Sequence, residues 1–339
     1  MKQINQSVVT EFILIGFSGF PDLQVPLFVV FSIMYFAILA GNIIIIVTIR
    51  CESSLHIPMY FFLAMLSISE ICYTFTIFPN MLVNLLREKT TISFIGCSIQ
   101  MYIFLGFACT NCLLLVVMGY DRYVCICKPL HYPVLMNQIL CTKLVVFSVI
   151  GGFLISAIYS YAVFSLPYCG PNKIIHFLCD IAPLLELACA RNYIGEILIF
   201  LFSFLVIVFS FLLILLSYIL ILNTILKIPT AEGKRKAFST CASHLIVVVV
   251  HFGCASIIHL QPGSSNTLTE DMFISITYTL VTPLLNPVVY SLKNKDVQVA
   301  LNKSLDMHPE DNSILTPPPP TLELKSERGS GDCHNEKQL

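Results

Sequence analysis

The chain has 339 residues, 56% of them hydrophobic and only 12% charged, with a mean hydropathy of +0.83 and a formal net charge of −1. Soluble domains carry about 25% charged residues. Half that charge, with the apolar residues gathered in long blocks, excludes a water-soluble enzyme, a disordered chain, a secreted disulfide mini-protein and a free nucleic-acid binder.

In chain order, the first 25 residues lack a basic stretch followed by a long apolar one, so no cleavable signal peptide is expected. Asn5-Gln6-Ser7 is a glycosylation sequon. Seven apolar blocks follow, at 26–49, 59–83, 98–120, 143–165, 197–222, 238–260 and 272–292. Each has about the 20 residues that a membrane-crossing helix needs. Stretches such as GNIIIIVTI do not alternate polar with apolar, which excludes barrel strands. Pro79, Pro283 and Pro287 lie inside blocks, where neighbouring helices re-satisfy the freed carbonyls. Val297, Ala300, Leu301 and Leu305 share one helical face, the pattern of a short amphipathic helix lying on the membrane. Beyond residue 306 the chain turns polar, with prolines at 317–320, and reads as a disordered tail.

Lys and Arg set the orientation. Five fall on the side of the N-terminus and fourteen on the other, so the N-terminus is expected outside. The predicted architecture is an all-α membrane protein: an extracellular N-terminus (1–25), a seven-helix transmembrane bundle (26–293), an amphipathic inner-face helix (294–305) and a cytoplasmic tail (306–339). No internal repeat is visible, which argues against an inverted-repeat transporter.

Four of the 14 cysteines, Cys97, Cys169, Cys179 and Cys189, fall in outer segments, where disulfides form. Four cysteines allow about three pairings, and the sequence does not choose among them. His176, Cys179 and Asp180 also form a candidate metal trio, unless Cys179 is in a disulfide.

Glu70 is the only acidic residue deep within a block, with Asn42, Ser67, Asn111 and Asn286 as expected company. Two readings stand side by side: a buried sodium or proton site, with Glu70 and Asn111 at its centre, or a hydrogen-bond network that joins helices. His251 and His259 lie on the sixth block, with His259 nearer its outer end as a pocket anchor. His244 lies near its inner end, where a structural or switching role is expected.

Several motifs appear in order: Gly41-Asn42, PMYFFLAMLS at 58–67, MGYDRYVCICKPLHYPVLM at 118–136, Ser217-Tyr218, KAFSTCASHL at 236–245 and PLLNPVVYSLKN at 283–294. Together they resemble the rhodopsin-like G-protein-coupled receptors and, more narrowly, the vertebrate olfactory receptors. The resemblance covers about residues 5–305, and the absence of Trp suits that family.

The resemblance implies a receptor for a small, mostly apolar volatile, without enzymatic activity or cofactor, in the plasma membrane of sensory cilia. Its partners would be the ligand, the lipid bilayer and a stimulatory G protein that raises cyclic AMP. The implied ligand pocket comprises Phe104, Leu105, Ala108, Cys109, Phe202, Val206, Ala255, Ser256, His259, Ile276 and Thr279. Either His259 or Ser256 would meet a ligand oxygen. The implied coupling residues are Asp121, Arg122, Tyr123, Tyr218, His244, Asn286, Pro287 and Tyr290. The family pattern pairs Cys97 with Cys179 and Cys169 with Cys189.

The chain departs from that pattern at several positions: Glu70 stands for the usual Asp, Asn111 for a common Glu, and His251-Phe252-Gly253 for the frequent Phe-Tyr-Gly. Phe104 takes the place of the Asp found in amine receptors, which leaves a cationic ligand without its partner. A non-olfactory chemosensory receptor of the same fold and a membrane transporter are the alternatives.

Overall fold

A computed structural model of the chain describes residues 9–17, 21–87, 90–169, 172–189, 193–259, 268–293, 297–300 and 302. The chain is mostly helical. The first three apolar blocks form α1 (Pro21–Cys51), α2 (Pro58–Leu86) and α3 (Phe94–Cys127). The short α4 (Tyr132–Leu135) precedes α5 (Gln138–Phe164), which holds the fourth block. After α6 (Ile181–Glu186), the last three blocks lie in α7 (Tyr193–Leu226), α8 (Ala231–His259) and α9 (Leu268–Lys293).

Local chemistry places the helix starts. Pro58 occupies the first turn of α2, where its missing N–H costs nothing. Ser93 caps α3 by accepting from Gly96 N–H at 3.0 Å, and Asn137 caps α5 by accepting from Leu140 N–H at 2.9 Å.

Five of these helices, α1, α2, α3, α5 and α7, are long and apolar enough to cross a membrane. The apolar stretches of α8 and α9 are shorter, Cys241–Ile257 and Thr279–Tyr290. Both helices open on charged residues, Glu232, Lys234 and Arg235 in α8 and Glu270 and Asp271 in α9. The helices α2 and α3 are the most enclosed, whereas α1, α5 and α7 present large apolar side chains outward. Phe36 on α1, Phe147 on α5 and Phe209 on α7 are 66%, 69% and 58% exposed. Apolar faces this continuous need lipid rather than water as their surroundings.

Glycines let the central helices touch. A Cβ on Gly152 of α5 would lie 2.8 Å from the Gly106 carbonyl oxygen and 2.7 Å from the Thr110 nitrogen of α3. Ser156 Oγ then donates across the same seam to the Tyr102 carbonyl at 2.6 Å. On α1, a Cβ at Gly41 would lie 2.8 Å from the Pro287 ring of α9.

The all-α expectation needs one correction. Three short strands cover one end of the bundle. Strand β1 (Glu11–Leu14) runs antiparallel to β2 (Thr90–Ser93) and parallel to β3 (Lys173–Ile174). Segments of two to four residues carry no readable period, and the partners of β1 lie far along the chain. Phe12 and Leu14 turn inward into a core with Phe17, Phe78, Phe104 and Phe177. Gly16, at φ +42°, turns the chain against the backbone of Phe177, a conformation that favours glycine. A second core, toward the opposite end, holds Phe62, Leu63, Met118, Val248 and Tyr290. Residues 297–300 and 302 are helical, and Val297 and Ala300 are buried against this second core while Val299 faces out.

Candidate ligand pocket and polar switch

Beneath the sheet lies a partly open cavity of about 50 Å³. Leu105, Ala108, Cys109 and Cys112 follow helical spacing and present one face of α3 to it. Ser203, Val206 and Ile207 do the same from α7, and Tyr159 and Ala255 enter from α5 and α8.

Ile181 closes the cavity from the sheet end. Its position follows from its neighbours. Cys179 is bonded to Cys97 at the start of α3, with Cα atoms 5.6 Å apart, and its N–H donates to Gln100 Oε1 at 3.2 Å. Asp180 then caps α6 by accepting from Ile181 N–H at 2.7 Å. The second pairing, Cys169 with Cys189, has Cα atoms 5.4 Å apart. Both pairings are those of the family pattern. With Cys179 in a disulfide, the metal trio at 176–180 is dismantled. Among the described residues no group of three His, Cys, Asp or Glu is placed to hold a metal.

Of the expected pocket residues, Leu105, Ala108, Cys109, Val206 and Ala255 line the cavity. Phe104 packs at a tilt against Tyr73 with ring centres 5.2 Å apart, and the Tyr73 hydroxyl bonds Thr279. Ile276 is buried in the same core, and Phe202 packs edge-on against Tyr159 at 5.6 Å. Ser256 is half-buried on α8 and does not line the cavity. The side chain of His259 and the sequon at Asn5 lie outside the described residues.

Five lining residues escaped the sequence reading: Cys112, Tyr159, Ile181, Ser203 and Ile207. Helical spacing from Leu105 and Val206 already points to Cys112 and Ser203, and Ser203 in turn points to Ile207 four residues on. Tyr159 and Ile181 carry no such signal, because only the packing of α5 and the disulfide-anchored loop brings them in.

The cavity floor leads into polar contacts between helices. Cys112 Sγ lies 3.2 Å from His251 Nε2, linking α3 to α8. Deeper in the bundle, Glu70 Oε1 accepts from Asn111 Nδ2 at 3.1 Å and from Asn286 Nδ2 at 2.9 Å. This brings α2, α3 and α9 to one buried carboxylate. Asn42 Nδ2 donates to the Ile38 carbonyl at 2.9 Å on α1.

Farther along, His244 Nε2 lies 3.1 Å from the Leu115 carbonyl and its Nδ1 lies 2.8 Å from the Tyr218 hydroxyl. A carbonyl only accepts, so Nε2 carries a proton. One imidazole thereby joins α3, α7 and α8. Asp121 and Arg122, both buried near the end of α3, form an ion pair with Nε and Oδ2 3.9 Å apart. The Tyr132 hydroxyl of α4 donates to Asp121 Oδ1 at 2.9 Å. Burial, and then the Asp121 charge, hold that hydroxyl well above its ordinary pKa, so Tyr132 remains a donor. Tyr123 lies under the Lys128 ammonium, 6.0 Å from its ring centre. Tyr290 is fully buried, and its hydroxyl has no hydrogen-bond partner among the described residues.

Residues 31–307 match the family profile described as "Olfactory receptor". The chain belongs to the olfactory receptor family. The receptor is 57% identical over 301 residues to human olfactory receptor 10R2, an alignment covering 89% of this chain and 90% of that protein. It is 53% identical to human olfactory receptor 10T2 over 308 residues, covering 91% and 98% of the two chains. Human olfactory receptor 10K2 is 52% identical over 303 residues, with 89% and 97% covered. The receptor is therefore a multi-pass membrane protein of a G-protein-coupled family that is not enzymatic.

Proposed function

We propose that this receptor senses a neutral, mostly apolar volatile in the cavity between α3, α5, α7 and α8 and activates a stimulatory G protein, raising cyclic AMP. The carrying observation is the placement of an uncharged cavity above Cys112–His251, with further polar contacts on α3 and α8 leading toward Asp121 and Arg122. Ligand that alters the cavity floor shifts α8 against α3. Arg122 then leaves Asp121 and meets the G protein, while Tyr218, His244, Asn286, Pro287 and Tyr290 rearrange around it.

In this reading the chain crosses the plasma membrane seven times, with α8 and α9 as the sixth and seventh spans and the N-terminus outside. Sensory cilia are its site of action. Family membership removes the support for the transporter alternative, while a chemosensory role outside olfaction shares every step except the tissue.

Affinity is expected to be modest. Burying about ten methylene-like carbons gains roughly 8 kcal/mol, and association costs at least about 4 kcal/mol. One hydrogen bond adds about 1 kcal/mol, which leaves half-saturation at roughly a few tenths of a millimolar. The test is a cyclic-AMP assay on cells displaying the receptor, screened with neutral odorants, with Arg122→Ala alongside. A response abolished in Arg122→Ala at equal surface level is expected. An undiminished response in that variant would refute the role given to Arg122.

A further inference from the structure

We propose that the Tyr159–Ser203 hydroxyl pair reads the ligand's oxygen, and that the ligand is a neutral molecule bearing one oxygen on a compact apolar body. This rests on taking the cavity as the ligand site. Among its described lining residues only Tyr159 and Ser203 carry a side-chain oxygen, and none carries a formal charge. The two hydroxyls are 2.8 Å apart, and both residues are more than nine-tenths buried, at 5% and 8% exposure. The pair spans α5 and α7. The Phe202 ring packs edge-on against Tyr159, and Ser156, one turn earlier, ties α5 to the Tyr102 carbonyl. The tyrosine ring is therefore held in place before ligand arrives.

Counting protons defines what the pair offers. Each hydroxyl has one proton and two lone pairs. One proton lies in the bond between the two oxygens. Whichever residue supplies it, the other O–H is left to donate. A ketone, aldehyde or ester takes that donor. An alcohol takes the donor and returns its own proton to a lone pair. An alkane engages neither and keeps the second O–H from a ligand partner, which is costly in a buried site. A carboxylate or ammonium meets no countercharge from the lining residues. The other polar lining groups, the thiols of Cys109 and Cys112, are weak donors, and Cys112 already contacts His251.

The test uses matched probes: a methyl ketone, the corresponding secondary alcohol and the parent alkane, repeated over several chain lengths. Concentration–response curves are taken for the native receptor and for the double variant Tyr159→Phe/Ser203→Ala at equal surface level. The ketone and alcohol are expected to activate the native receptor at lower concentration than the alkane. The double variant should raise their half-maximal concentrations by about five- to tenfold, the equivalent of one hydrogen bond. The alkane response should hold or shift to lower concentration, because the stranded O–H is gone, so the gap between oxygenated and plain probes closes.

Ketone and alcohol curves unmoved by the double variant would overturn the assignment and leave the odorant-receptor reading intact. Activation only by ammonium or carboxylate ligands, or silence to every neutral probe, would overturn the ligand class itself. Should the double variant fail to reach the surface, Tyr159→Phe/Ser203→Cys keeps the volume and replaces the serine oxygen with a weak donor. The same shifts are expected from it.

Discussion

Glu70 offers a direct measure of what holds the bundle centre together. Two buried amides, Asn111 and Asn286, donate to its Oε1 at 3.1 and 2.9 Å. The Oδ1 atoms of both asparagines have no hydrogen-bond partner among the described residues. Glu70→Ala removes the shared acceptor and strands two buried N–H groups. At roughly 1–3 kcal/mol for each stranded group, the cost is about 2–6 kcal/mol before any cavity is counted. Glu70→Gln keeps a carbonyl oxygen and adds an amide whose protons suit the unpartnered Oδ1 atoms. Its expected cost is within about 1 kcal/mol. Thermal inactivation of detergent-purified receptor, with and without sodium, separates the two variants. Gln close to native and Ala strongly labile would establish acceptor geometry as the requirement. Gln as damaging as Ala would refute this reasoning and assign the requirement to the charge. Sodium stabilising the native receptor but not Glu70→Gln would then identify a bound cation.

Two further predictions concern packing and the loop above the cavity. Cys97→Ser opens a link spanning 82 residues, against 20 for Cys169→Ser. Chain entropy alone gives upper values of about 4.5 and 3.3 kcal/mol, both lowered by the bilayer's hold on the unfolded spans. Surface labelling should therefore fall further for Cys97→Ser than for Cys169→Ser; native surface levels and responses in Cys97→Ser would count against the importance of its link to Cys179. Gly152→Ala forces a Cβ into the α3 backbone and should cost about 1–3 kcal/mol. Gly253→Ala meets nothing within 4 Å and should be neutral or slightly stabilising. Equal thermal stability of the two alanine variants would contradict the close α3–α5 approach.

Much of this receptor was legible in one dimension because lipid imposes simple demands. A span needs length and apolar content, so α1, α2, α3, α5 and α7 follow from their blocks. A carboxylate at membrane depth must find partners, so Glu70, Asn111 and Asn286 could be grouped before their contacts were known. Motif order was enough to name the family, and the disulfide pairings came only as what that resemblance implies. Burial within the spans was another matter. Lipid tails are as apolar as leucine, so an apolar side chain does not announce whether it faces a neighbouring helix, a cavity or the bilayer. Phe104 and Phe202 were placed at the cavity by analogy, yet they support Tyr73 and Tyr159 beside it.

Sequence alone thus determined which segments are apolar enough to favour lipid and which polar groups must pair among them, because those follow from local composition. Tertiary structure decided the rest. It threaded β1 between strands about 80 and 160 residues away, hung Ile181 over the cavity from a disulfide, and set the hydroxyls of Tyr159 and Ser203 2.8 Å apart. Each of these depends on how helices lean on one another, a relation between distant residues that no local pattern encodes.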